Sequence, residues 1–501
     1  MVSYQRQVAG FLFAVGLYGC DAGGGREPCP EGMWLGEAEL GTVCEPWTTC
    51  EPGEYTSEVG TSLEDRRCAA CSPGEYSAST NAVACLVWQV CPTGLIEGTP
   101  GTTTADRSCV SSDWTRQFGS TGSDGAWAVG VHVDGSVVVA GYTTGSIEGA
   151  GAGGFDGFVR KYGATGALLW TRQLGTAGDE AATAISVDSV GAVVVAGYTT
   201  GAVEGASAGG LDAYVRKYDA DGALLWTRQF GTVAAELAYS VAIDGQDNII
   251  VTGYTEGGLE GASLGGRDAY VRKYDSAGAV LWTRQFGTAL MDTAHSVAVD
   301  DEGAVIVVGD TFGQLDGTAS GNQDAYVRKY DATGVVLWTR QFGTMGVDAA
   351  NGVGVDGAGD VIVAGETSGA LEGAGVGRSD AYVRKYGTAG DVLWTRQFGT
   401  TDDDYGSACA VDAAGNVVVV GDTFGALERP NIGIDATDVY VRMYDSSGDL
   451  LWTRQGGGQA DEDATSVRAV GRNVYVVGST AGVFGGASAG SHDAYVWMIE
   501  W

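Results

Sequence analysis

The sequence predicts an all-β protein. From Asp113 to Trp501 it reads as a seven-bladed β-propeller with four-stranded blades, the last blade closed by the N-terminal strand, and a small disulfide-rich segment precedes it. Three observations carry this. Trp-Thr-Arg-Gln occurs seven times, at Trp114, Trp170, Trp226, Trp282, Trp338, Trp394 and Trp452, at spacings of 56 residues five times and 58 once. Each unit holds four short β-branched or aromatic runs bounded by turn residues, the pattern of a propeller blade. Of 10 cysteines, eight crowd between Cys29 and Cys109, the mark of a disulfide framework in an oxidising compartment.

The elements follow in chain order. Residues 1–19 read as a lipoprotein signal peptide: Arg6 gives a basic start, and the apolar run Val8–Gly19 is too short to span a bilayer. The run ends in Leu17-Tyr18-Gly19-Cys20, which resembles a lipobox, with Tyr18 bulkier than usual there. The resemblance implies lipidation of Cys20, a tether over residues 20–28, and attachment to a membrane through the lipid. The expected location is the cell envelope, at the outer membrane or cell surface of a Gram-negative bacterium.

Residues 29–112 hold two copies of one module. CEPWTTCEPGEYTSEVGTSLEDRRC aligns with CLVWQVCPTGLIEGTPGTTTADRSC, shifted by 41 residues. The C-x-x-W-x-x-C and Gly-Thr…Asp-Arg-x-Cys elements resemble the cysteine-rich modules of tumour-necrosis-factor-receptor type. Those modules usually carry six cysteines, and these copies carry four. Copies of this size need cross-links for stability. The expected bridges stay within copies: Cys29 to Cys44, Cys50 to Cys68, Cys71 to Cys85, and Cys91 to Cys109.

In the third repeat the four strand-like runs are Ala238–Asp244, Asn248–Tyr254, Asp268–Tyr274 and Val280–Phe286, joined in places by Asp/Gly-rich hairpin loops. The chain ends separate a closed ring from an open solenoid. The segment starts with a lone fourth strand at Trp114–Gly119 and ends after only three strands of the last unit. Ring closure needs that arrangement, and it covers an edge that would otherwise recruit other chains. The text GxVVVAGYT…DAYVRKYDxxGxxLWTRQFGT resembles the bacterial β-propeller repeats called SBBP. That resemblance implies a propeller and export, and no specific reaction.

Net charge is −35, which repels nucleic acid. No catalytic motif is present. His132, His295 and His492 occupy different repeat positions, so no shared metal site follows, and Cys409 reads as a small buried thiol. The repeated aromatics are expected to pack between blades.

The acids are better organised. Ten residues after each tryptophan stand Asp124, Glu180, Glu236, Asp292, Asp348, Asp404 and Glu462. Glu148, Glu204, Glu260, Asp316, Glu372 and Glu428 follow at thirty-four. Each third strand opens with Asp156, Asp212, Asp268, Asp324, Asp380, Asp438 or Asp493. All three sets fall at one end of the blades, so one face is expected to carry a ring of carboxylates. In one reading these acids cap loop amides or pair with repeated arginines such as Arg216 and Arg228. In the other some of them, the ten-residue set foremost, hold hard cations such as Ca²⁺. Asp219-Ala220-Asp221-Gly222 resembles part of a calcium loop but reads better as a hairpin turn. The expected function is an exported, membrane-anchored, non-enzymatic binding or scaffold protein with a protein or glycan ligand on its acidic face. Two alternatives are a propeller enzyme, such as a glycan-cleaving hydrolase or lyase, and a Ca²⁺-stabilised adhesin.

Overall fold

The computed structural model describes residues 29–38, 41–90, 95–111, 113–149, 151–317, 320–373, 375–431 and 436–501. The expected signal peptide, lipidation site Cys20 and tether lie outside them. The chain divides into two compact units at residue 113.

The first unit is a chain of two-stranded hairpins, Met33–Ala38 with Gly41–Pro46, Glu54–Glu58 with Arg67–Ala70, Glu75–Tyr76 with Leu86–Val87, and Leu95–Thr99 with Ser108–Ser111. Three expected disulfides are present: Cys29–Cys44, Cys50–Cys68 and Cys71–Cys85. The fourth falls on Cys91 and the Cys109 side chain, outside the described residues. The repeated residues between the cysteines build one clasp twice. Trp47 Nε1 donates to Thr61 O and Trp88 Nε1 to Thr102 O, both at 3.0 Å. Arg66 and Arg107 each lie 5.3 Å over their tryptophan ring, a cation–π contact. A Cβ on Gly60 or Gly101 would strike the indole at 2.7 or 2.5 Å, which explains the glycine before each threonine.

The second unit is the propeller. Seven four-stranded antiparallel sheets follow one another, each with its strands in chain order. Blade 1 comprises Asp124–Val131, Val137–Thr143, Asp156–Tyr162 and Leu168–Leu174. Blade 3 comprises Glu236–Ile243, Ile249–Thr255, Asp268–Tyr274 and Val280–Phe286. Blade 7 takes Glu462–Val470, Asn473–Thr480 and Asp493–Glu500 from the end of the chain and Trp114–Phe118 from its start. The register runs from Ala494↔Phe118 to Met498↔Trp114, so the ring closes as the strand count requires.

The second strands read Val/Ile/Ala/Gly on both faces because neighbouring blades cover both; in Ile249–Thr255 every residue is buried. The 3–4 hairpins are aspartate-capped. In blade 3 Asp275 Oδ1 accepts the amides of Ala277 and Ala279, and Gly278 takes φ +83°. Asp219–Gly222 forms the same turn in blade 2. Lys217, Lys273, Lys329 and Lys385 of the third strands are buried against Asp188, Asp244, Asp300 and Asp356 at 2.7–2.9 Å.

The Trp-Thr-Arg-Gln run is the fastener of the ring. In blade 2, Trp226 Nε1 and Arg228 Nε donate to Ser276 O and Gly278 O in the turn of blade 3, at 3.3 and 2.9 Å. Thr227 Oγ1 accepts from Arg216 Nε at 2.9 Å. Gln229 Nε2 donates to Gly201 O and Asp212 Oδ2, and its Oε1 accepts the Val203 amide. Arg216 is thus spent on a threonine, not on an acid, whereas Arg228 does pair with Glu204 at 3.3 Å.

The aromatics pack between blades, as expected. Phe230 of blade 2 lies 5.8 Å from Tyr270 of blade 3 and beneath Arg272 at 4.3 Å. The same Arg-over-Phe contact recurs with Arg160 and Phe118, Arg328 and Phe286, Arg384 and Phe342, and Arg442 and Phe398. The interface of blades 6 and 7 differs. Trp497 replaces the arginine and Gly456 the phenylalanine, and Trp497 stacks edge-on against Phe484 at 5.6 Å.

Candidate functional site

The three acid sets separate by depth. All seven of the ten-residue set, Asp124, Glu180, Glu236, Asp292, Asp348, Asp404 and Glu462, have no exposed surface. All seven third-strand aspartates are at most 2% exposed. The expected ring of surface carboxylates is therefore corrected: these two sets lie beneath the loops they hold. Glu236 shows the wiring. Its Oε2 accepts the Thr232 amide at 2.5 Å, and its Oε1 accepts the Thr232 and Thr255 hydroxyls at 2.8 and 2.6 Å. Asp212 closes the other side of the same loop through Ala208 N and Gln229 Nε2. Between the two sits Gly231, where a Cβ would come within 2.1 Å of Asp212 Oδ1 and 2.8 Å of Glu236 Oε2. Burial raises the carboxyls of Asp292, Asp404, Asp438 and Glu462. Among the described residues no three His, Cys, Asp or Glu side chains form a group able to hold a metal ion. The third set stays at the surface, with Arg172–Glu148, Arg284–Glu260 and Arg396–Glu372 paired like Arg228–Glu204.

A different set of residues is brought together on the axis. Each first strand is bulged at one place, between Ala126 and Ala128 in blade 1 and at the equivalent place in the other six. A bulge leaves its extra residue out of the ladder and re-aims its side chain. Those residues are Trp127, Thr183, Tyr239, His295, Asn351, Ser407 and Thr465, and all seven line the central channel, a cavity of about 100 Å³. The blades differ at this position while agreeing almost everywhere else.

One step outward, the next-to-last residue of the second strand also varies. Blades 1 to 3 carry Tyr142, Tyr198 and Tyr254; blades 4 to 6 carry Asp310, Glu366 and Asp422; blade 7 carries Ser479. This position, one strand out from the channel lining, is therefore aromatic along one arc of the ring and acidic along the next, with Tyr254 and Asp310 buried. In the aromatic arc Trp127 and Tyr142 lie 4.8 Å apart and Tyr239 and Tyr254 5.8 Å apart. Burial pushes the Tyr239 hydroxyl up to about 12, with Tyr254 adding to it and Arg267 opposing. His295 joins the arcs, stacking 5.8 Å from Tyr239 while Nε2 bonds Asp310. In the acidic arc burial raises Glu366, with His295 opposing and Asp310 and Asp403 adding. Burial raises Asp422 well above the carboxylate range; the Ala464 amide opposes, and Asp463 and Glu366 add. Cys409 is buried in a first strand, as expected, its thiol pushed up to about 12 by burial.

The sequence reading missed both positions. The signal was present as variation: thirteen residues after each tryptophan stand Trp, Thr, Tyr, His, Asn, Ser and Thr in a chain that otherwise repeats itself.

Residues 225–260 match the SBBP β-propeller repeat. That stretch runs from the fourth strand of blade 2 through the second strand of blade 3 into the loop that follows. Residues 71–109, the second cysteine-rich copy, match the TNFR/NGFR cysteine-rich region. The chain is similar to the regulatory protein FlaEY of Caulobacter vibrioides, 30% identical over 210 residues, 38% of this chain and 21% of that one. It is also similar to an uncharacterized WD repeat-containing protein, L264, of Acanthamoeba polyphaga mimivirus, 23% identical over 233 residues, 36% of this chain and 17% of that one. The chain thus spans about a fifth of the length of the curated relatives it matches. Among solved structures, the Pan2 WD40 domain of Neurospora crassa is 11% identical, covering 75% of this chain and 89% of that one at a TM-score of 0.44.

Proposed function

We propose that this chain is an exported, lipid-anchored, non-enzymatic binding protein of the cell envelope whose propeller captures a basic side chain of a protein ligand at the channel mouth. The carrying observation is the split mouth, three tyrosines followed by three acids at one repeat position. An ammonium or guanidinium group is attracted by the faces of Trp127 and Tyr142, Arg267 already covering Tyr254 at 4.3 Å, and is met by Asp310 and by Glu366 and Asp422, whose raised carboxyls a docked cation favours in the ionised form. A cavity of about 100 Å³ admits one side chain, whereas small-molecule sites run to roughly 300–1,000 Å³. The disulfide-stapled modules support export, and Cys20 supplies the anchor in this reading.

The test is binding of a fluorescent lysine-rich peptide and its acetylated form to the full chain. Glu366→Gln with Asp422→Asn is expected to weaken the unmodified peptide at least tenfold. A control, Glu148→Gln with Glu204→Gln, removes two carboxyl groups from the exposed set. Equal losses in both variants would reduce the effect to the net charge of −35 and sink the proposal. A second reading, a glycan-cleaving enzyme, is favoured only by the raised Asp422 beside Asp463 and Glu366, a pairing that suits acid–base chemistry. Release of reducing sugar from envelope glycans, lost in Asp422→Asn, would establish it.

A further inference from the structure

Sixteen residues after the repeated tryptophan, six blades carry Gly130, Ser186, Ala242, Ala298, Gly354 and Ala410. The seventh carries Arg468, which reaches into the same central channel. Its Nη1 donates to the Val467 carbonyl at 3.0 Å. No carboxylate of the described residues forms an ion pair with it, although the chain holds 63 acids. Burial pulls its pKa down, with only the Cys409 thiol set against this. Arg468 is half-buried, and a guanidinium partly withdrawn from water without a counter-charge is costly to keep. Four buried lysines are paired with aspartates, and the fifth, Lys161, is bonded to the Ala220 carbonyl at 3.0 Å; Arg468 differs from all of them in lining the central channel.

The channel wall beside it supplies further donors. Ser466 Oγ accepts the Val129 amide and Ser240 Oγ the Val297 amide, at 3.4 and 3.2 Å. Each hydroxyl proton is thereby left to be donated elsewhere, and both serines line the cavity. The planar fork of arginine matches a carboxylate through two parallel bonds. A dianion such as phosphate fits less well, because Asp310, Glu366 and Asp422 stand at the mouth it would pass.

We infer that Arg468 anchors an anion site inside the channel that takes a small monocarboxylate, as a free acid or as a carboxylate on a larger ligand. The inference does not depend on the basic-group reading of the mouth. The probe is sodium acetate, titrated into the full chain by calorimetry at constant ionic strength. One site per chain is expected in the wild type, with binding weakened at least tenfold in Arg468→Met. Arg468→Lys keeps the charge without the fork and serves if the methionine variant does not fold; it is expected to bind acetate more weakly than wild type. Glu366→Gln with Asp422→Asn should leave acetate binding intact or strengthen it, so failure at the mouth is read separately. No acetate binding to the wild type, or equal binding to wild type and Arg468 variants, would overturn the inference. So would phosphate binding more tightly than acetate.

Discussion

Gln117 is the most direct test of ring closure. It lies on Trp114–Phe118, yet its amide bonds the far end of the chain: Nε2 donates to Gly482 O and Asp493 Oδ2, and Oε1 accepts the Phe484 amide, each at 2.8 Å. Ordinary buried hydrogen bonds contribute about 1 kcal/mol each, and those to charged groups roughly 1.5–3. Gln117→Ala removes two of the first kind and one of the second, so the expected cost is about 3–5 kcal/mol. Urea unfolding followed by tryptophan fluorescence measures it, with Gln285→Ala as the internal standard. Gln285 makes equivalent bonds inside blade 3, to Gly257 O, Asp268 Oδ2 and the Leu259 amide, and should cost a similar amount. The two variants should differ in where they open. Only Gln117→Ala should gain early proteolytic cleavage near residues 113–119. In an open solenoid Gln117 would have no such partners and its loss would be silent. A cost below about 1 kcal/mol for Gln117→Ala, beside a full cost for Gln285→Ala, refutes the closed ring.

Other outcomes follow from the same structure. Lys273→Met leaves Asp244 buried without its ammonium partner and is expected to cost about 3–5 kcal/mol in urea unfolding; less than about 1 would mean the pair is not sealed from water. The carboxyls of Asp292, Asp404, Asp422, Asp438, Glu366 and Glu462 are raised in the folded state, so their contribution is present at low pH and is withdrawn as pH rises through their folded values. Burial at Asp244 is outweighed by the bond from Lys273; that carboxyl is lowered, and its contribution is lost only on stronger acidification. The melting temperature should therefore rise from pH 8 toward about 5 and fall below about 4, and a steady fall from pH 8 downward would contradict this. Because each acid of the ten-residue set is already bonded within its own loop, EDTA followed by Ca²⁺ should leave the melt unchanged; a Ca²⁺-dependent rise would instead place a cation among Glu236 and its equivalents.

Blade number, strand order and closure were legible because they depend on features that repeat. The tryptophan spacing counts the blades, and the incomplete units at the two ends show how they join. The depth of the acids was harder to read. Aspartate and glutamate ordinarily mark surface, and Glu236 is buried only because Thr232, four residues before it, and Thr255, nineteen after it, supply hydroxyls. The Gly-Thr before five of the seven acids, with Gly-Ser before Asp124, was the available clue. The channel was illegible for a different reason. Simple alternation along a first strand assigns each residue to one face, but the bulge breaks that alternation and re-aims Trp127 and its equivalents. Arg468 was hidden in the same way, as a single departure in the last of seven copies.

The odd interface between blades 6 and 7 bears on how this chain finds its structure. Six nearly identical third strands offer the N-terminal Trp-Thr-Arg-Gln strand nearly identical docking places, and a strand that settles in the wrong one would seal a smaller circle with blades left over. Trp497 breaks the degeneracy. Its indole needs the space left by Gly456 and the edge of Phe484, and the other interfaces put a phenylalanine, or in one case Leu174, where that glycine stands. Blade 7 thus fits against only one neighbour, and the chain carries in a single residue pair the mark that tells it where the circle ends.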